Sequence, residues 1–284
     1  MTIRQKAPIK KAMLLAAAVL AVPGVASADP SGAFYDRSFM LAADARCTLF
    51  QPQVNAALTA AAWQARGAAL RAGTGELDLA ATAGRARARA AAVSCADPQL
   101  ATVRQRVQGA FAGWSRTTRM TFDGWVANRI GYATPTWRLM QASVTGASPV
   151  TFGYAGEGDA ASGDLTAVVS FVGRPRPIAA RVVLRDPSRL PRAWLSGTAL
   201  PPESARQSLW AADFGPADRT LLAEGSHAGE AWRFSADTAA AIARLDPRER
   251  FDVEFHFRDG SMTAAHFTAG DFAAGKAFLA MGML

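Results

Sequence analysis

Apolar residues recur at every third or fourth position from Asp36 to about residue 120, and then the period changes. In DRSFMLAADARCTLF the apolar set is Phe39, Leu41, Ala42, Ala45 and Leu49. In QVNAALTAAAWQARGAALRAG, Val54, Leu58, Ala61, Ala62, Ala65, Ala69 and Leu70 gather near one face. Pro52 suits the first turn of that helix and Gly73 its end. A third helix is expected from about Leu77 to Ser94. A fourth starts at Asp97-Pro98, a cap followed by a first-turn proline, and aligns Leu100, Val103, Val107, Ala110, Phe111 and Trp114.

From Trp137 onward the pattern is β. DLTAVVSFVG, PIAARVVLRD, RTLLAEG and EAWRFS are short runs bounded by Gly, Pro or Asp. Gly153 to Asp164 reads as a Gly/Asp-rich loop, and the many prolines mark loops or strand edges. Two short helices fit this half, Ala236 to Leu245 and Phe272 to Met281, the second capped by Asp271.

The sharpest alternation is RFDVEFHFRDGSMTAAHF, Arg250 to Phe267. Phe251, Val253, Phe255 and Phe257 fall on one face, and Asp252, Glu254 and His256 on the other. A three-residue Arg258-Asp259-Gly260 loop pairs Asp252 with His266 and His256 with Met262. A two-residue Asp259-Gly260 turn would instead bury His266 and expose Phe267, so the first register is expected. In that register both histidines share the outer face with Asp252 and Glu254, which makes these four the candidate metal or acid–base set. Against it, Cα positions four residues apart on a strand lie about 13 Å apart, too far for His256 and His266 to share one ion easily. A cross-strand Asp252–His266 pair, worth about 0.2–1 kcal/mol, accounts for two of the four without any chemistry.

The first residues stand outside this pattern. Arg4, Lys6, Lys10 and Lys11 precede an unbroken apolar run, Ala12 to Val22, and Ala26-Ser27-Ala28 follows. This is the order of a secretory signal peptide, expected over residues 1–28 with cleavage near Ala28. The apolar run is too short to span a membrane, which takes about 20 residues, and no later run reaches that length. Export to the periplasm or medium is therefore expected. The four basic residues leave with the leader, so the formal charge of +8 falls to +4. Nearly all the remaining basic residues are arginine, a bias that travels with heavy alanine use and needs no nucleic-acid partner.

Compartment decides how the two cysteines are read. An even count in an exported chain points to a structural Cys47–Cys95 disulfide, worth about 4 kcal/mol on the chain-entropy account. No CxxC favours the redox alternative. The expected fold is thus α+β. A disulfide-clipped helical module over residues 29–130 precedes an antiparallel, sandwich-like β-rich domain over 131–284 with two short helices.

The segment Trp232–Met281, WRFSADTAAAIARL followed by FDVEFHFRDGSMTAAHFTAGDFAAGKAFLAM, orders strand, helix, strand, DG turn, strand and helix. In this it resembles the end of the invasion-associated locus B proteins, small periplasmic β-sandwich proteins of alphaproteobacteria. The resemblance implies a periplasmic sandwich without catalytic residues, and both cysteines lie outside it.

Motifs for the common chemistries are missing. There is no HExxH, P-loop or GxSxG, and Gly156-Glu157-Gly158 lacks the last glycine of a dinucleotide fingerprint. No cofactor is expected. Arg85 and Arg89 share one helical face and are the candidate contacts for an anionic partner, such as lipid headgroups or an acidic envelope polymer. Of the seven tryptophans, Trp194 in LPRAWLSG is the one expected at the surface. The expected function is non-enzymatic: binding, or maintenance of the cell envelope. The alternative is a hydrolase-type or metal-dependent enzyme built on His227, Asp252, His256 and His266.

Overall fold

The computed structural model describes residues 29–131, 133–156, 165–173, 175–197 and 199–284. The expected signal segment, residues 1–28, and the 157–164 part of the glycine-rich stretch lie outside the described residues.

Four helices open the fold: α1 (Pro30–Cys47), α2 (Pro52–Arg71), α3 (Glu76–Ala92) and α4 (Pro98–Phe111). Local chemistry sets their starts. The Asp29 carboxylate accepts the Ser31 and Gly32 N–H groups, and the Asp97 carboxylate accepts that of Gln99 at 2.7 Å. Proline fills the first helical position in α1, α2 and α4, where a missing N–H costs nothing. Between α1 and α2 one carboxylate organises the turn: Asp44 accepts from Leu49 N, Phe50 N and Asn55 Nδ2.

Cys47 closes α1 and Cys95 precedes α4, and the two form a disulfide with their Cα atoms 5.6 Å apart. The bridge pins the α3–α4 turn to the end of α1. Arg46 reinforces the same junction by donating to the Ala90 and Val93 carbonyls. Protein of residues 29–284 should show no free thiol when denatured without reductant. Reduction should lower stability by about 2–4 kcal/mol in urea melts. Two titratable thiols in the unreduced protein would refute the pairing.

All sheet pairing is antiparallel. One sheet runs β1 (Arg119–Phe122), β2 (Trp125–Asn128), β3 (Thr136–Thr145), β4 (Ser148–Gly156), β5 (Leu165–Val169), β9 (Glu230–Phe234) and β8 (Asp213–Pro216). The other runs β11 (Met262–Thr268), β10 (Arg250–His256), β6 (Ala179–Arg185) and β7 (Arg206–Trp210). Helices α5 (Ala236–Ala243) and α6 (Phe272–Leu279) complete the chain. The result is the expected α+β order, with helices first and antiparallel sheets after.

Phe152 of β4 fills the space between the sheets, its ring 5.3 Å from Phe251 and 5.5 Å from Phe267. Where β3 runs past the end of β2, side chains join it to the edge strand β11 of the other sheet. Gln141 on β3 accepts the Thr268 N–H at 2.8 Å and donates to the Thr268 carbonyl at 3.0 Å, standing in for a strand partner on β11. Ser143 donates to the His266 carbonyl beside it.

Several elements differ from the sequence expectation. Strands β1 and β2 begin before Ile130, inside the segment read as helical, and Trp125 is a buried sheet residue. The run RTLLAEG is not a strand. The Asp218 carboxylate accepts the Thr220 N–H and hydroxyl, which folds Arg219–Leu221 into a 3-10 turn. Gly153 to Gly156 are strand rather than loop. Strands β7 and β8 had no signal strong enough to read.

A shared core joins α2 to the sheets, while the four helices keep separate clusters of their own. Ala56, Ala57 and Ala60 of α2 pack in the same cluster as Phe122, Leu139 and Phe278. Helix α2 lies on α6 so closely that a Cβ at Gly67 would sit 2.0 Å from the Asp271 carboxylate. That carboxylate does not cap α6 as expected. It turns instead to Arg71 of α2, in a bidentate pair at 3.0 and 2.9 Å. Burial pushes the Asp271 carboxyl up from its ordinary pKa, and Arg71 opposes that shift.

Candidate ligand groove and the histidine hairpin

Helix α4 leans on the other helices by a narrow stripe. Leu100 is its one fully buried residue, while Val103, Val107 and Phe111 are half-buried. The stripe is apolar on the i, i+3, i+4 rhythm, so it needs a covering surface. It meets α1 and the end of α3 across a groove of about 470 Å³. Phe39 and Met40 of α1 and Leu58 of α2 form the opposite wall and floor, together with Val93 beyond α3. The buried part of the lining, Met40, Leu58 and Leu100, is entirely apolar.

Charge sits at the mouth. Arg89 and Arg106 are exposed lining residues, and Asp36 and Asp97 are the acids nearby. Arg37 also lines the groove, but its guanidinium turns to the Ala61 carbonyl at 2.6 Å. Burial lowers its pKa from the ordinary value, with Asp36 opposing. Of the two arginines expected to meet an anionic partner, Arg89 reaches this groove. Arg85 does not: its guanidinium donates to Thr82 Oγ1 at 2.8 Å on its own helix.

The hairpin takes the three-residue-loop register, with Asp252 opposite His266 and His256 opposite Met262. Gly260 supplies the left-handed residue at φ 80°. His266 Nδ1 lies 2.7 Å from Asp252 Oδ1. Glu254 is engaged elsewhere, accepting from Arg181 Nε at 2.6 Å. His256 Nε2 stands 3.4 Å from Glu254 Oε2 without hydrogen-bond geometry, and its ring packs on Trp210 at 5.4 Å.

This outer face is drier than the alternation alone suggests. β10 is an interior strand, paired with β6 and β11, and Asp252 and Glu254 are buried, the first against His266 and the second against Arg181. His256 and His266 each keep to their own carboxylate. Among the described residues, no three His, Cys, Asp or Glu side chains gather as a metal set. His227 is exposed on the loop before β9, away from the hairpin strands.

Trp194 is only half-buried, held by its indole N–H on the Ala199 carbonyl at 3.1 Å. Trp210 is the tryptophan most open to solvent, and the Arg181 guanidinium lies over its ring at 5.2 Å. The groove was the feature that sequence reading missed. Its only signal was the α4 stripe, which looked like ordinary core because periodicity does not report how completely a stripe is covered.

No helix among the described residues is long and apolar enough to cross a membrane. Comparison with known proteins finds no family model, no curated protein and no solved structure that matches this chain.

Proposed function

We propose that this is an exported, non-enzymatic binding protein whose ligand site is the groove between α1, α3 and α4. The observation that carries the reading is the groove itself, an apolar floor under an arginine-bearing mouth. Ligand pockets of about 300–1,000 Å³ with apolar walls and few polar groups are the usual form of small-molecule sites. Export is supported by the Cys47–Cys95 disulfide, which persists in oxidising compartments, and by the leader-like order of residues 1–28. Kinship with the invasion-associated locus B proteins belongs to the same proposal and rests on the element order of Trp232–Met281.

A thermal-shift screen of residues 29–284 tests this against the metal-dependent alternative. The panel holds long-chain amphiphiles, divalent metals, anionic glycans and peptidoglycan fragments. An amphiphile at about 100 times its Kd should add about 2.7 kcal/mol and raise Tm by about 5–10 °C. Val107→Asp, on the groove wall, should remove that shift. Stabilisation by metal ions alone, lost in His266→Ala, would overturn the reading.

A further inference from the structure

We infer that the groove takes a single-chain amphiphile with a carboxylate head, a long-chain fatty acid in chemical class. This rests on the groove being the ligand site. Three observations narrow the ligand beyond that reading.

The first is the floor. Met40, Leu58 and Leu100 offer nothing that hydrogen-bonds, so a sugar or nucleotide seated there would lose its water without replacement. A hydrocarbon chain gains instead, by about 0.8 kcal/mol for each buried methylene. The volume, about 470 Å³, lies in the lower part of the range for small-ligand pockets, which favours one chain over two.

The second is the mouth. Arg89 comes from α3 and Arg106 from α4, and neither has an acidic or hydrogen-bonding partner among the described residues. Asp97 is occupied at the cap of α4. The lining holds three arginines against two aspartates, a surplus of one positive charge. One carboxylate balances it, with charge-assisted hydrogen bonds from guanidinium. A dianionic phosphate monoester would overshoot, and a cationic head would be repelled.

The third is rigidity. Cys95 lies between Arg89 on one wall and Arg106 on the other, and its bridge to Cys47 fixes the turn that joins them. The two guanidinium groups are therefore carried on walls that are already held together, so less ordering is needed on binding.

Isothermal titration of residues 29–284 with four twelve-carbon ligands, below their micelle concentrations, tests the inference. They are dodecanoate, dodecanol, dodecyl phosphate and dodecyltrimethylammonium. Dodecanoate should bind about tenfold or more tighter than dodecanol, and tightest of the four. The Arg89→Gln, Arg106→Gln double variant should lose that preference while binding dodecanol as before. Both positions are exposed, so its melting curve should match the wild type.

Equal binding of dodecanoate and dodecanol would sink the carboxylate inference and leave the groove reading standing. So would tighter binding of dodecyl phosphate. No binding of any chain would overturn both readings, as would dodecanoate binding that Val107→Asp leaves unchanged.

Discussion

Gly153→Ala should leave little or no folded protein, with a loss of more than about 5 kcal/mol. Gly153 sits in mid-strand on β4 at φ 155°, in the region that favours glycine. An added Cβ would lie 1.8 Å from the Leu139 carbonyl oxygen and 2.7 Å from its carbon. The obstacle is backbone, held by the β3–β4 ladder beside a bulge between Trp137 and Leu139, so no side chain can swing aside. Gly156 is the built-in comparison. It has nearly the same φ, 153°, but no atom of the described residues lies within 4 Å of the added atom. Gly156→Ala should cost only the conformational strain, about 1–3 kcal/mol. Urea melts of both variants check this. If Gly153→Ala unfolded within about 1 kcal/mol of Gly156→Ala, the steric argument would be wrong.

Arg185→Met should cost about 3–5 kcal/mol, because it strands a charge. Arg185 and Glu249 are almost fully buried, and the guanidinium holds both carboxylate oxygens, at 2.5 and 2.8 Å. The remaining acceptor capacity of Glu249 takes the N–H groups of Trp194 and Asp246. Arg185 also donates to the Leu190 carbonyl, so the pair fastens the proline-rich loop to the end of β6. Adding Glu249→Gln to Arg185→Met removes the stranded charge, although the amide keeps an acceptor oxygen for only one of the two N–H groups, which now use different carboxylate oxygens. The double variant should therefore melt above the Arg185→Met single variant. A single variant that costs under about 1 kcal/mol, or a double variant whose loss equals the sum of the two, would refute this.

Gly153 also shows why part of the fold was hard to read. It opens the stretch GYAGEGDAASGD, rich in glycine and aspartate, so local composition said loop. The reason for glycine there is a carbonyl on another strand, which no window of sequence contains. Arg219–Leu221 failed the other way. The leucines of RTLLAEG looked like a strand, and a hydrogen bond from the Thr220 N–H back to the Asp218 carboxylate decided otherwise. What was legible had local causes. The cap at Asp97 and the prolines at helix starts placed the helices, and the expectation of export paired Cys47 with Cys95. The hairpin register followed from one rule, that Phe267 and not His266 belongs inside. The groove was not legible, because it is the space left between α1, α3 and α4. Arg89 was singled out for its charge, yet Arg106 joins it only once α4 is laid across the bundle.

The packing of α2 on α6 has a consequence for how the chain reaches this state. Arg71 and Asp271 are 200 residues apart, so during synthesis α2 emerges long before its cover. Contacts so distant along the chain form late. Until then the surface of α2 that will meet the sheets is bare. On that surface Ala56, Ala57, Ala60 and Gly67 are all small, and Trp63 stands at its rim beside Ile242 and Phe272. Small side chains let α6 approach closely in the finished fold, and they also present little apolar area while they wait. The same residues that make the joint tight make the unfinished chain less adhesive.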